Sequence, residues 1–248
     1  MADVLREAWS TVVPDPNGRH GPLPPLMLAL TFVTGLVDAV SYLLLGRVFV
    51  ANMTGNVVFS GFALAGAPGF SLAASLVALA AFASGALAGG LTVHRTGART
   101  HRGRMLQYTL LTETLFVTAA LVVTLISGTP YSGGVRFTLI VLLGLGLGVQ
   151  NAASRALAVP DLTTTVLTLT LTGVASDSRL AGGGGSRAGR RVMSAAAMLL
   201  GALAGGVAVL NGRPALPLLL AVAVLAAASA AASLLARSGA PWTEPSGK

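Results

Sequence analysis

Six stretches of this 248-residue chain are apolar over about 20 residues each, the length an α-helix needs to cross the hydrocarbon core of a bilayer. They are Leu26–Leu45, Phe70–Val93, Met105–Ile126, Val135–Leu157, Val192–Leu210 and Ala215–Ala236. Only 10% of residues are charged and the mean hydropathy is +0.78. A soluble domain of this size carries about a quarter charged residues. The chain therefore reads as an all-α integral membrane protein in which the bilayer is the principal partner. Cysteine is absent, which excludes disulfides and thiolate metal sites. The net charge of +8 is concentrated in loops between apolar runs, so it reads as a topology signal and not as a nucleic-acid surface.

The chain also repeats itself. Gly85-Ala86-Leu87-Ala88-Gly89-Gly90 returns 116 residues later as Gly201-Ala202-Leu203-Ala204-Gly205-Gly206. Duplication of a membrane domain accounts for this, with residues 25–127 as the first repeat and 134–236 as the second. Residues 1–24 form a polar cytoplasmic tail, either irregular or a short interfacial helix with Leu5, Trp9 and Val12 on one face. Residues 237–248 form a short C-terminal tail. The Gly85/Gly89, Gly201/Gly205 and Gly144/Gly148 pairs are small-xxx-small patterns for close helix packing between repeats; a homodimer face is the alternative.

Two shorter stretches do not read as ordinary spans. Val48–Ala67 carries Asn52, Thr54, Asn56 and Ser60, and Leu162–Ala175 has only 14 residues and is rich in Thr. The loop at Arg95, Arg99, Arg102 and Arg104 and the loop at Arg179, Arg187, Arg190 and Arg191 both read as cytoplasmic. They fall on one side only if Leu162–Ala175 does not cross. Treating both stretches as re-entrant gives six spans with both termini inside, and it leaves only Arg47, Arg136 and Arg213 of the 16 basic residues outside. Three spans per half then make the repeats inverted, the layout of transporters and channels whose broken helices meet near the midplane. If Val48–Ala67 spans, there are seven or eight crossings instead.

The polar residues inside these stretches are the candidate site. Asp38 lies roughly 18 Å into its span at 1.5 Å per residue, where an ionised carboxylate costs at least about 2.5–3.5 kcal/mol. It is neutral, paired or facing water: either a cation- or proton-linked group on a solute path, or internal glue bonded to Thr or Asn of the neighbouring insert. Asn52 and Asn56 share a helical face, with Thr54 and Gly55 between them. In the second half, Val149-Gln150-Asn151-Ala152 aligns with Val37-Asp38-Ala39-Val40, and Thr168-Leu169-Thr170 with Thr54-Gly55-Asn56. The expected path is thus Asp38, Asn52, Thr54, Gly55 and Asn56, faced by Gln150, Asn151, Thr168 and Thr170. Glu113 is a second buried acid, a relay group or a structural one. No nucleophile–His–acid set or metalloprotease motif lies at membrane depth, so no enzyme, cofactor or metal is expected.

The Asp-Ala-x-Ser-Tyr piece at Asp38–Tyr42 and the Asn-Met-Thr-Gly-Asn piece at Asn52–Asn56 resemble the YoaK-like family of bacterial membrane proteins. Gln150-Asn151 and the Thr-rich second insert extend the resemblance, which covers about Leu26 to Ala236. It implies a polytopic inner-membrane protein and no particular substrate. The basic loops also fit a scaffold or accessory subunit with a partner or anionic-lipid surface. A small-solute or ion channel or secondary transporter is the leading expectation.

Overall fold

Leucine, alanine and valine fill the apolar runs, and each run closes its own backbone hydrogen bonds as a helix, as a bilayer requires. The computed structural model describes residues 2–13, 15, 18–95, 101–160, 162, 172, 188–235 and 241–243. Among these, eight α-helices and no strand occur: α1 Ala2–Val12, α2 Leu23–Leu44, α3 Met53–Leu64, α4 Leu72–Arg95, α5 Arg102–Ile126, α6 Gly133–Leu157, α7 Ala188–Leu210 and α8 Leu216–Leu235. A 3-10 turn follows at Pro241–Thr243. Six helices are long and apolar enough to cross a membrane, and α3, at 12 residues, is not. Leu64, Leu115, Leu199 and Leu234 are each at least 68% exposed, as lipid-facing side chains are. The chain is a multi-pass membrane protein.

Two helices form the centre. In α2, 72% of the apolar stretch is buried and in α6 61%, against 22–39% in α4, α5, α7 and α8. α7 packs on α2 and α4 packs on α6, while α5 and α8 bridge the two pairs. The close crossings are made by glycine. A Cβ at Gly85 would stand 2.2 Å from the Leu145 carbonyl oxygen, and one at Gly148 would stand 2.2 Å from that of Phe82. On the other pair, a Cβ at Gly201 would stand 2.1 Å from the Phe32 carbonyl oxygen, and one at Gly35 would stand 2.3 Å from that of Met198. The second set is the first, displaced by 116 residues from α4 to α7 and by 113 from α2 to α6. The Gly89 contacts with Val149 and Ala152 recur in the same way as those of Gly205 with Leu36 and Ala39.

This register shifts the correspondence expected between the halves by one residue. Asp38 corresponds to Asn151, and Gln150 to Val37. The sequences agree: Gly35-Leu36-Val37-Asp38-Ala39-Val40-Ser41 lies on Gly148-Val149-Gln150-Asn151-Ala152-Ala153-Ser154. Helix contacts decide the register because a one-residue slip rotates every side chain by about 100°.

The ends of the helices are tied together by specific bonds. The Arg102 guanidinium donates to the carbonyl of Leu157 at 2.6 Å and to that of Arg19 at 3.2 Å. It thus joins the start of α5, the end of α6 and the approach to α2. Gln107 near the start of α5 donates to Ser233 near the end of α8, at 3.1 Å. The Gly189 amide at the start of α7 donates to the Glu7 carboxylate of α1, and Arg190 donates to the Pro160 carbonyl just after α6. Trp242, 1% exposed, closes the same end by seating on Gly21, whose φ of +44° and lack of a side chain leave room for the indole. So α2, α5 and α7 start at this basic end and α6 and α8 finish there. The segment containing α3 connects the far end of α2 to the far end of α4.

Candidate functional site

At its far end α2 stops in a left-handed turn. Gly46 has φ +93°, Arg47 has φ +56°, and the Arg47 amide donates back to the Tyr42 carbonyl at 3.2 Å. The chain then runs unwound to Asn52, where α3 begins. An unwound segment within a membrane protein must find partners for its backbone N–H groups, and two side chains supply them here. Asp38 Oδ1 accepts from the amides of Val50 at 3.1 Å and Ala51 at 3.2 Å. Asp38 Oδ2 accepts from the Asn52 side-chain amide, so Asn52, at the N-cap position of α3, is turned away from capping its own helix. Asn56 pairs with both peptide groups of Phe49: its Oδ1 accepts from the Phe49 amide at 2.9 Å and its Nδ2 donates to the Phe49 carbonyl at 2.6 Å.

Packing fixes this arrangement. Asn56 is fully buried and Asp38 is 5% exposed. The Phe49 ring lies over Gly55, where a Cβ would stand 2.6 Å from it, so the small residue in Asn-Met-Thr-Gly-Asn makes room for an aromatic ring. Phe49 stacks on Tyr42 at 5.2 Å, and Phe59 and Phe70 continue the cluster to the Arg47 guanidinium, 5.5 Å from the Phe70 ring centre. Asp38 lies about 22 Å from the first residue of α2 and about 9 Å from the last. It therefore lies in the far half of the helix, about 7 Å beyond its middle.

The structure brings Asp38, Asn52 and Asn56 together around the segment Phe49–Asn52. Thr54 does not join them: it is exposed. Gln150 is fully buried and donates to Thr34 Oγ1 at 3.1 Å, across the centre where α6 meets α2. Thr34 lies one turn before Asp38 on the same face of α2, so the Gln150 contact and the Asp38 cluster follow one stripe. Asn151 bonds back to the Leu147 carbonyl at 2.9 Å. Glu113 is fully buried in α5 with its chain toward α6 at Gly146, one turn from Gln150. The Thr-rich second insert, with Thr168 and Thr170, lies outside the described residues apart from Leu162 and Thr172.

Sequence reasoning missed Thr34, Phe49, Arg102 and Trp242. Spacing could have found Thr34, four residues before Asp38. Nothing in the local sequence marks Phe49, whose role is set by backbone pairing with a residue seven positions on.

The profile described as "Protein of unknown function (DUF1275)" matches residues 26–231. The chain belongs to this family. It is also 31% identical over 153 residues to the UPF0700 transmembrane protein YoaK of Bacillus subtilis, covering 61% of this chain and 65% of that protein. The chain thus spans just under two thirds of the relative's length. No solved structure matches. The match covers α2 to most of α8, so the Asp38 cluster, the Gln150 contact and both glycine crossings lie inside the family's region.

Proposed function

We propose that this DUF1275 protein is a secondary transporter for a small solute or ion, built from two inverted repeats in a bacterial inner membrane and not an enzyme. The observation that carries the reading is the Asp38 carboxylate, which accepts three N–H groups from the unwound entrance to α3. Broken helices at membrane depth present backbone groups to solutes and coupling ions, and intramembrane carboxylates are expensive enough to mark ion or proton paths. The α3 segment enters from the far face and returns to it, and the recurring glycine crossings supply two rocking pairs, α2 with α7 and α4 with α6. The basic end carries Arg6, Arg19, Arg102, Arg104, Arg155, Arg190 and Arg191, which by the positive-inside rule makes it cytoplasmic. A proton or cation arriving at Asp38 competes with the amides of Val50, Ala51 and Asn52. Binding there releases the entrance to α3, and the coupling role falls on the first repeat because its counterpart is the uncharged Asn151.

The test is electrogenic transport in proteoliposomes on a solid support, with amino acids, sugars, organic acids and monovalent cations applied in turn with and without a proton gradient. The expected result is a current for at least one solute that is lost in Asp38→Asn and Asn56→Ala. Current unchanged by both substitutions together overturns the site. A second reading has its own observation: Asp38, Asn52 and Asn56 all bond within the protein itself, which suits a non-transporting scaffold. Under that reading Asp38→Asn lowers the melting temperature and no solute in the panel moves.

A further inference from the structure

We propose that the groove between α4, α5 and α6 at the basic end is a binding site for one anionic phospholipid. α4 and α5 each pack on α6 rather than on each other, which leaves a cavity of about 240 Å³. Leu145 and Val149 of α6 form its floor, and Ala88 and Thr92 of α4 face Tyr108 and Thr112 of α5 as its walls. The lining is largely apolar. Leu87 and Leu91 on one side and Leu111 and Leu115 on the other are 41–68% exposed, so the groove opens on a surface of lipid-facing character. A membrane-depth cavity of this kind takes an acyl chain.

The second requirement is a partner for the lipid's charge. Tyr108 and Thr112 continue upward along one stripe of α5 to Arg104, which is exposed at the mouth of the groove. From His94 to Arg104 the sequence holds four arginines and two histidines, and no acidic residue occurs between Asp38 and Glu113. An exposed arginine one turn beyond the lining of an apolar inter-helix cleft matches a phosphate headgroup with a chain below it. The groove is not a by-product of duplication. The counterpart pair, α7 and α8, joins through a tight turn at Gly212, φ +72°, and its helices pack directly on each other.

Native mass spectrometry of the full chain in detergent tests this, with added palmitoyl-oleoyl phosphatidylglycerol or phosphatidylcholine of the same chains. One phosphatidylglycerol should be retained at lower concentration than phosphatidylcholine. Arg104→Ala should weaken phosphatidylglycerol about fivefold, the loss expected for one basic contact at a lipid surface, and leave phosphatidylcholine unchanged. Ala88→Phe, and from the opposite wall Thr112→Phe, should reduce both lipids by filling the groove, and glycerol phosphate should not compete. Equal retention of the two lipids with no response to Arg104→Ala overturns the proposal. So does phosphatidylglycerol retention that survives both groove-filling variants, which would place the lipid on the basic loop alone, or displacement by glycerol phosphate, which would make the site one for a free phosphate.

Discussion

Replacing Asn56 with alanine removes a side chain that satisfies both peptide groups of a single residue. The Phe49 amide and carbonyl lose bonds of 2.9 and 2.6 Å, and Asn56 is fully buried, so water does not replace it without opening the aromatic cluster over Gly55. Each orphaned buried group costs about 1–3 kcal/mol. Side-chain bonds in membrane proteins measure lower, about 0.6 kcal/mol on average, because the unfolded chain in the membrane also finds partners. Phe49 lies in an unwound segment with no helical neighbour to offer its groups, so the upper scale applies to at least one of them. The expected loss is about 2–4 kcal/mol, or roughly 5–10 °C in melting temperature at this chain length. Thr54→Ala, in the same five-residue motif, is the internal control: Thr54 is exposed, so its change should stay within about 0.5 kcal/mol. Thermal unfolding in detergent followed by tryptophan fluorescence compares the two. Equal stability of Asn56→Ala and Thr54→Ala would refute the pairing of Asn56 with Phe49.

Two glycines of α7 give a second contrast. Gly201→Ala should cost about 1–3 kcal/mol because its Cβ would meet the Phe32 carbonyl at 2.1 Å, whereas Gly206→Ala, with open space around it, should be neutral or gain up to about 1 kcal/mol of helix propensity; denaturation midpoints in detergent separate the two. Arg102→Ala should lose about 3 kcal/mol, since charged bonds to the Leu157 and Arg19 carbonyls vanish together, and Arg102→Lys should recover only part of it in the same melts. Thr34→Val and Gln150→Leu should each destabilise, and their double mutant should cost less than the sum by about 0.5–1.5 kcal/mol, a coupling that a double-mutant cycle reads directly. Gly21→Ala should unseat Trp242, seen as a red shift of its emission in a Trp9→Phe background.

The spans were legible because length and apolarity are dictated by the bilayer: all six expected runs coincide with helices, and their ends move by only a few residues. Val48–Ala67 was ambiguous because its Asn, Thr, Gly and Ser residues are compatible with both a polar span and a broken one. What decides is non-local: Asp38 and Asn56 give the segment Phe49–Ala51 an alternative to helical pairing, and α3 begins only afterwards. The glycine repeat was visible, but the register between α2 and α6 was not. Two adjacent polar residues, Gln150 and Asn151, compete as the counterpart of Asp38, and only the crossings at Gly35 and Gly148 resolve them. Trp242 lay in a stretch that reads only as a short C-terminal tail, and its burial depends on a glycine more than two hundred residues earlier.

The inverted arrangement of the repeats is tested most directly by cysteine accessibility, since the chain has no native cysteine. On the inverted-repeat account, single cysteines at Ala67, Thr129 and Asn211 fall on one face and those at Thr100 and Ser186 on the other. Labelling of intact cells with an impermeant thiol reagent should mark the first three and spare the last two until the cells are opened. If Ser186→Cys labels from outside while Thr100→Cys does not, the second insert crosses the membrane, the halves are parallel, and the inverted-repeat transporter is contradicted.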